Sequence, residues 1–192
     1  MVRHRALAAA TDVSEVILSG GDPLTLSNRR LAALLRRLEA LDHIETLRIH
    51  TRYPIVLPQR IDTELLSMLS RSRLRTVVVV HCNHAQEIDA VVALALARLQ
   101  SSRITLLNQS VLLRGVNDDV ETLRALSRRL HEVAVLPYYL HMLDRVDGVA
   151  HFDVPEHTAR RLVRELRDSL PGYLVPRLAR ESAGGLSKTV LA

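Results

Sequence analysis

Five short apolar runs, rich in β-branched residues or leucine, punctuate the chain at residues 15–18, 46–50, 76–81, 104–107 and 133–140. Their spacing of about thirty residues is the length of one βα unit. Between them hydrophobic positions recur three and four apart: Leu31, Leu34, Leu35 and Leu38; Leu65, Leu66 and Leu69; Ile88, Val91, Val92 and Ala95; Leu123, Leu126 and Leu130; Leu162, Val163 and Leu166. That period places each set on one face of a helix. The strands are nearly continuously apolar, as strands buried on both faces of a parallel sheet are, so the pattern predicts an α/β fold, a partial parallel (β/α) barrel. No linker divides the chain, and residues 1–192 read as a single domain.

Polar start signals support the helices. Ser27, Asp62 and either Asp118 or Asp119 suit N-cap positions, and Pro155 suits an early position of the last helix. Other polar residues cluster after the apolar runs: Ser19-Gly20-Gly21-Asp22, Thr51-Arg52, Asn83-His84, Asn108-Gln109, and His141 with Asp144. In parallel barrels the carboxyl ends of the strands carry the chemistry, because successive βα loops converge there.

Composition narrows the function. The apolar runs fall short of the roughly 20 residues of a membrane span, and residues 1–10 are too poor in apolar length for a signal peptide, so a cytoplasmic location is expected. The net charge of +5 rests on arginines scattered over helix faces, and one Phe, four Tyr and no Trp offer little stacking surface, which argues against nucleic acid as partner. The one cysteine, Cys82, can neither form an internal disulfide nor by itself hold a metal cluster, so no metal ligands are assigned.

Two glycines directly after the first strand permit a backbone path and a ligand approach that side chains would block, and exposed amides there can bind a carboxylate or phosphate. An ordinary tight turn is the alternative. Context favours the ligand: Ser19-Gly20-Gly21-Asp22-Pro23-Leu24, Arg48-Ile49-His50-Thr51-Arg52, Asn83-His84, Leu107-Asn108-Gln109 with Asn117-Asp118, and Pro137-Tyr138-Tyr139-Leu140 with His151-Phe152 together resemble the lysine 2,3-aminomutase family of radical S-adenosylmethionine (SAM) enzymes. The resemblance runs from Val13 to Thr189. The ending, Gly172-Tyr173-Leu174-Val175-Pro176 with Glu181 and Ser187-Lys188-Thr189, is similar to the branch that makes β-lysine for modification of elongation factor P.

The resemblance implies site residues. Gly20, Gly21 and Asp22 would hold the methionine portion of SAM, and His84 and Gln109 would line its adenosyl side. Lys188, in the segment 172–192, would anchor pyridoxal phosphate (PLP) through its amine. Asp144 and Glu181 would face the distant ammonium group of substrate lysine, where a cation leaving water needs compensating charge. Taken separately, ordinary readings exist for each: a cap and an exposed imidazole at 83–84, a polar rim at 109, and ion pairs with Arg145 and Arg180 for the two acids. Lys188 is the single lysine of the chain, in a loop 183–187 less glycine-rich than in free-standing lysine aminomutases.

The implied activity is an isomerase reaction, L-lysine to β-lysine, using SAM, PLP and a [4Fe-4S] cluster. The family's three cluster cysteines are absent from this sequence, and residues 3–10 resemble the helix that follows them. The expectation is a carboxyl-terminal portion lacking its first βα unit, inactive alone. A barrel so shortened would expose a sheet edge and apolar helix faces that invite pairing with another chain, a homo-oligomer included. The alternative is a shortened relative that binds ligand without catalysing.

Overall fold

Strands form at all five apolar runs, with boundaries that move where polar residues continue the ladder. In the computed structural model, which describes residues 2–144, 146–181 and 188–192, they are β1 Glu15–Leu18, β2 Thr46–Thr51, β3 Arg75–His81, β4 Thr105–Val111 and β5 Leu136–His141. Strand β4 extends four residues beyond the expected end because Asn108, Gln109 and Ser110 keep the strand alternation, with 108 and 110 buried and 109 on the opposite face. Strand β5 starts three residues late. Val133 still belongs to the end of a helix, and Ala134 takes a left-handed φ of 57° to leave it. Two short strands had no forecast: β6 Arg177–Arg180 and β7 Thr189–Val190.

The helices are α1 Val2–Ala9, α2 Asn28–Glu39, α3 Tyr53–Val56, α4 Thr63–Arg71, α5 Ala90–Ser101, α6 Val120–Glu132 and α7 Glu156–Ser169. Asp62 caps α4 by accepting from the Leu65 amide at 2.7 Å. Asp119, rather than Asp118, caps α6 at Thr122, and Asp118 accepts from Gly115 N instead. Ser27 occupies the N-cap of α2 without a side-chain cap bond, and Pro155 immediately precedes α7. Among the described residues no helix is long and apolar enough to cross a membrane.

The chain forms two compact units, residues 1–80 with 94–106 and residues 81–93 with 107–192. In the first, β1, β2 and β3 run parallel, with Leu18 beside Ile49 and Ile49 beside Val78. Leu31, Leu35 and Leu38 of α2 and Leu65 and Leu69 of α4 are buried, and together with Leu47 and Ile49 they line one small apolar void. This is the helix-on-sheet burial that the three-and-four spacing predicts.

In the second unit β4, β5 and β6 are parallel and β7 returns antiparallel on β6. Its core joins Leu123 of α6 and Ala159, Leu162, Val163 and Leu166 of α7 to Leu140, Met142 and Leu178. The fold class is therefore α/β and mostly parallel, as expected, with an antiparallel ending that carries Lys188.

Candidate active site

In the first unit the glycine loop leaves β1 with φ of 81° at Gly20 and 55° at Gly21, a conformation that side chains resist. Both glycines are exposed, and a Cβ built on either would meet nothing within 4 Å. The loop's backbone is thus accessible. Asp22 sets its course. Oδ1 accepts from the Leu24 amide at 3.0 Å and from Thr51 Oγ1 at 2.7 Å, while Oδ2 accepts from the Arg52 amide at 2.8 Å. Thr51, buried at the end of β2, also accepts from Tyr53 N. Both oxygens of Asp22 are therefore spent on fixing the loop to β2.

In the second unit a β-bulge sorts the side chains. Asn108 lies beside Pro137 but Gln109 lies beside Tyr139, so β5 carries one extra residue at Tyr138. Beyond it Tyr139 and His141 share a face with Gln109, whereas an unbroken register would turn them away. Gln109 Nε2 is 2.6 Å from His81 Nε2 on that face. Asn108 points oppositely and brackets Cys82, accepting from its N–H at 2.9 Å and donating to its carbonyl at 3.0 Å.

The antiparallel β6–β7 pair then delivers the lysine. Arg180 is registered with Thr189, so the next positions outward are Glu181 and Lys188. The Lys188 ammonium donates to Glu181 Oε1 and to His141 Nε2, the latter at 3.2 Å, and lies 5.4 Å from the centre of the Tyr139 ring. An ammonium has only donors, so His141 must accept through Nε2 and carry its proton on Nδ1. Burial pushes the His141 pKa down to about 4. The Lys188 charge and then His81 reinforce this, and the Glu181 carboxylate opposes it. The ring is neutral at pH 7.

Magnitudes separate the two acceptors. The Glu181 side chain is 56% exposed, and an ion pair so open to water is worth about 0–1 kcal/mol. His141 is 8% exposed, and a sheltered hydrogen bond from a charged donor contributes roughly 1.5–3 kcal/mol. The imidazole therefore does more to fix the amine.

Of the other expected site residues, His84 caps a short 3-10 helix, its Nδ1 accepting from Gln86 N at 3.2 Å, and its ring is half-buried. The cap is thus His84, not Asn83, whose Oδ1 accepts from Val111 N at 2.8 Å. Asp144 is exposed just beyond β5 and lines an open concavity with Val146, Val149, Ala150 and Asp153. Arg180 pairs with Glu156 at 2.8 Å, leaving Glu181 to Lys188. Arg145 and the loop 183–187 lie outside the described residues.

The structure thus gathers Lys188 with Glu181, and Gln109 with His81. Four contributors received no specific role from the sequence: Thr51, His81, Tyr139 and His141. The i, i+2 spacing of Tyr139 and His141 in one strand was the available signal.

Cluster and cofactor chemistry can be compared with these donors. Cys82 is fully buried, its Sγ donating to the His84 carbonyl at 3.3 Å, and burial followed by the Glu87 carboxylate pushes its pKa up to about 12. A single thiol kept protonated does not fit an iron-sulfur cluster. Among the described residues no three His, Cys, Asp or Glu side chains gather where a metal ion could sit. The Lys188 amine fits a carbonyl-bearing cofactor, and the open double-glycine backbone fits a polar ligand's approach.

Comparison with known proteins decides the family. The chain is 49% identical over 186 residues to L-lysine 2,3-aminomutase of Haemophilus influenzae, covering 97% of this chain and 55% of that protein. It is 51% identical over 185 residues to L-lysine 2,3-aminomutase of Escherichia coli, covering 96% and 54%. The chain belongs to the lysine 2,3-aminomutase family. It spans about half the length of these curated relatives. No protein-family model matches it.

Solved structures agree on the fold. A radical SAM methyltransferase from Sphaerobacter thermophilus superposes with a TM-score of 0.64 at 15% identity, covering 92% of this chain and 53% of that one. The structure of anSMEcpe with bound AdoMet and the Kp18Cys peptide gives 0.65 at 11% identity, covering 86% and 49%. The fold is of the radical SAM type.

Proposed function

We propose that this chain is the part of a lysine 2,3-aminomutase that carries the PLP lysine and the SAM loop, in an isomerase converting L-lysine to β-lysine. The observation that carries the reading is the Lys188 amine, the one lysine side chain of the sequence, held by Glu181 and His141 in a chain about half identical to lysine aminomutases. Lys188 anchors PLP, and PLP, when bound, supplies an electron-delocalising ring at the substrate's α-amino group. Gly20 and Gly21 present backbone to SAM, with Asp22 shaping their loop; His84 and Gln109 line the adenosyl side.

Asp144 and Glu181, which follow the adjacent strands β5 and β6, counter the charge of the substrate's distant ammonium. The iron-sulfur cluster does not fit this chain's single buried cysteine, so its ligands belong to sequence outside these 192 residues, and the chain alone does not catalyse. The ending at 172–189 supports assignment to the branch serving elongation factor P, in the cytoplasm.

The test is incubation of the 192-residue chain with PLP, borohydride reduction, and peptide mapping by mass. The expected label falls on Lys188 in preference to the terminal amine, the only other primary amine. A label confined to the terminus would overturn the assignment.

A further inference from the structure

The sequence marks His141 only as a polar residue at a strand end, yet among the described residues it is the most sheltered group touching the Lys188 amine. We infer that His141 is a positioning residue for Lys188, accepting one of its N–H bonds so that the amine presents its lone pair to an incoming carbonyl. The inference rests on the proposed role of Lys188 as the PLP anchor.

The argument is stereochemical. An amine ready to add to a carbonyl has two N–H bonds and one lone pair, arranged about a pyramidal nitrogen. Two acceptors on neighbouring strands fix those two bonds: His141 Nε2 at the end of β5 and Glu181 Oε1 just past β6. With both N–H bonds directed at the protein, the lone pair points away from them. A single acceptor would leave the amine free to rotate about it and about its long side chain.

Each part of the support can be traced. The bulge at Tyr138 turns His141 onto the face shared with Gln109 and Tyr139. The register of β5 with β6 sets His141 beside Ala179, and the β6–β7 pairing brings Lys188 back across it. The Tyr139 ring stacks near His141 with centroids 5.4 Å apart and offers its face to the amine. Among the described residues, the charged or titratable groups that face the imidazole are Lys188, Glu181 and His81, with Tyr139 alongside. Since the buried ring stays neutral at working pH, it remains an acceptor. A protonated His141 would present a donor to another cation and push the amine away.

The test uses the 192-residue chain and the variants His141→Phe, His141→Gln and Lys188→Met. Phenylalanine keeps a ring but removes the acceptor; glutamine restores an acceptor oxygen. In PLP and borohydride trapping, the terminal amine of the same molecule serves as internal standard. The ratio of label at Lys188 to label at the terminus is expected to fall about fivefold in His141→Phe, the worth of one hydrogen bond from the reacting neutral amine, which is weaker than that from the ammonium, and to recover in His141→Gln.

The second readout requires neither cofactor nor a folded His141→Phe. In ¹⁵N-histidine-labelled chain, His141 Nε2 is expected to be unprotonated at neutral pH and to shift in Lys188→Met. An unchanged ratio in folded His141→Phe, or a protonated Nε2 in the parent chain, would overturn the positioning role. If the parent chain does not label at Lys188, the PLP reading falls, and the nitrogen spectrum alone decides whether His141 holds the amine.

Discussion

Asp22 offers the sharpest test of how the glycine loop is built. Asp22→Ala removes three acceptor contacts at once: Leu24 N at 3.0 Å, Thr51 Oγ1 at 2.7 Å and Arg52 N at 2.8 Å. A hydrogen bond to a charged group is worth roughly 1.5–3 kcal/mol when sheltered, but Asp22 is half-buried and the Arg52 side is exposed, so each counts at or below the low end. Losses within one network are not additive, and a total of about 2–4 kcal/mol follows. Asp22→Asn keeps one oxygen for Leu24 and Thr51 but turns an amide N–H toward the Arg52 N–H, and should cost about half as much.

Native-state hydrogen exchange reads this locally. The amides of Leu24 and Arg52 should exchange at least about tenfold faster in Asp22→Ala, since 1.4 kcal/mol of opening free energy is a factor of ten. Buried amides of β5 should be unchanged. If Asp22→Ala left both loop amides as protected as in the parent chain, or Asp22→Asn matched the parent at Arg52, the two-oxygen clamp would be wrong.

The remaining predictions concern the second unit. Cys82 should react with iodoacetamide only after denaturation, and reconstitution with iron and sulfide should give no cluster absorbance, because the buried thiol is held protonated with a pKa of about 12; rapid alkylation of the folded chain would contradict this. His141 is neutral in the fold down to about pH 4, whereas an unfolded histidine protonates near 6.5. Its folded pKa being the lower, its contribution is present above the unfolded value and is lost as pH falls from about 6.5 to 4, on the order of 3 kcal/mol. His141→Gln should flatten urea-measured stability over that window relative to the parent chain, and parallel curves would refute the burial of a neutral imidazole.

Much of the fold is legible because burial repeats with a fixed period. Leu31, Leu35 and Leu38, or Leu162, Val163 and Leu166, can be buried only if their segments are helices lying on a sheet, and they are buried. Failures occur where polar residues serve the backbone. Asn108 looks like a loop residue, yet it stays in β4 because its amide completes the hydrogen bonds of Cys82. Asn117, also fully buried, accepts from Leu113 N and donates to the carbonyls of Asn83 and Val111. Such brackets satisfy backbone groups at strand ends, and no periodicity announces them.

The candidate site was legible as a set of residue types but not as a geometry, and the difference lies in a single extra residue. Motif likeness could nominate Lys188 and Glu181 one by one, whereas their contact requires the antiparallel register of two short strands whose residues, Arg177-Leu178-Ala179-Arg180 and Thr189-Val190, have little strand signature. Likewise, counting by twos from Pro137 assigns Tyr139 and His141 the face of Pro137 itself, which is registered with buried Asn108, on the face opposite Gln109. The bulge at Tyr138 reverses that assignment and brings both rings to Gln109 and the amine. Deleting Tyr138 would therefore remove the bulge yet keep Tyr139 beside Gln109 and His141 beside Val111, so both rings should stay on the face of the site, whereas inserting a residue there should turn His141 to the opposite face.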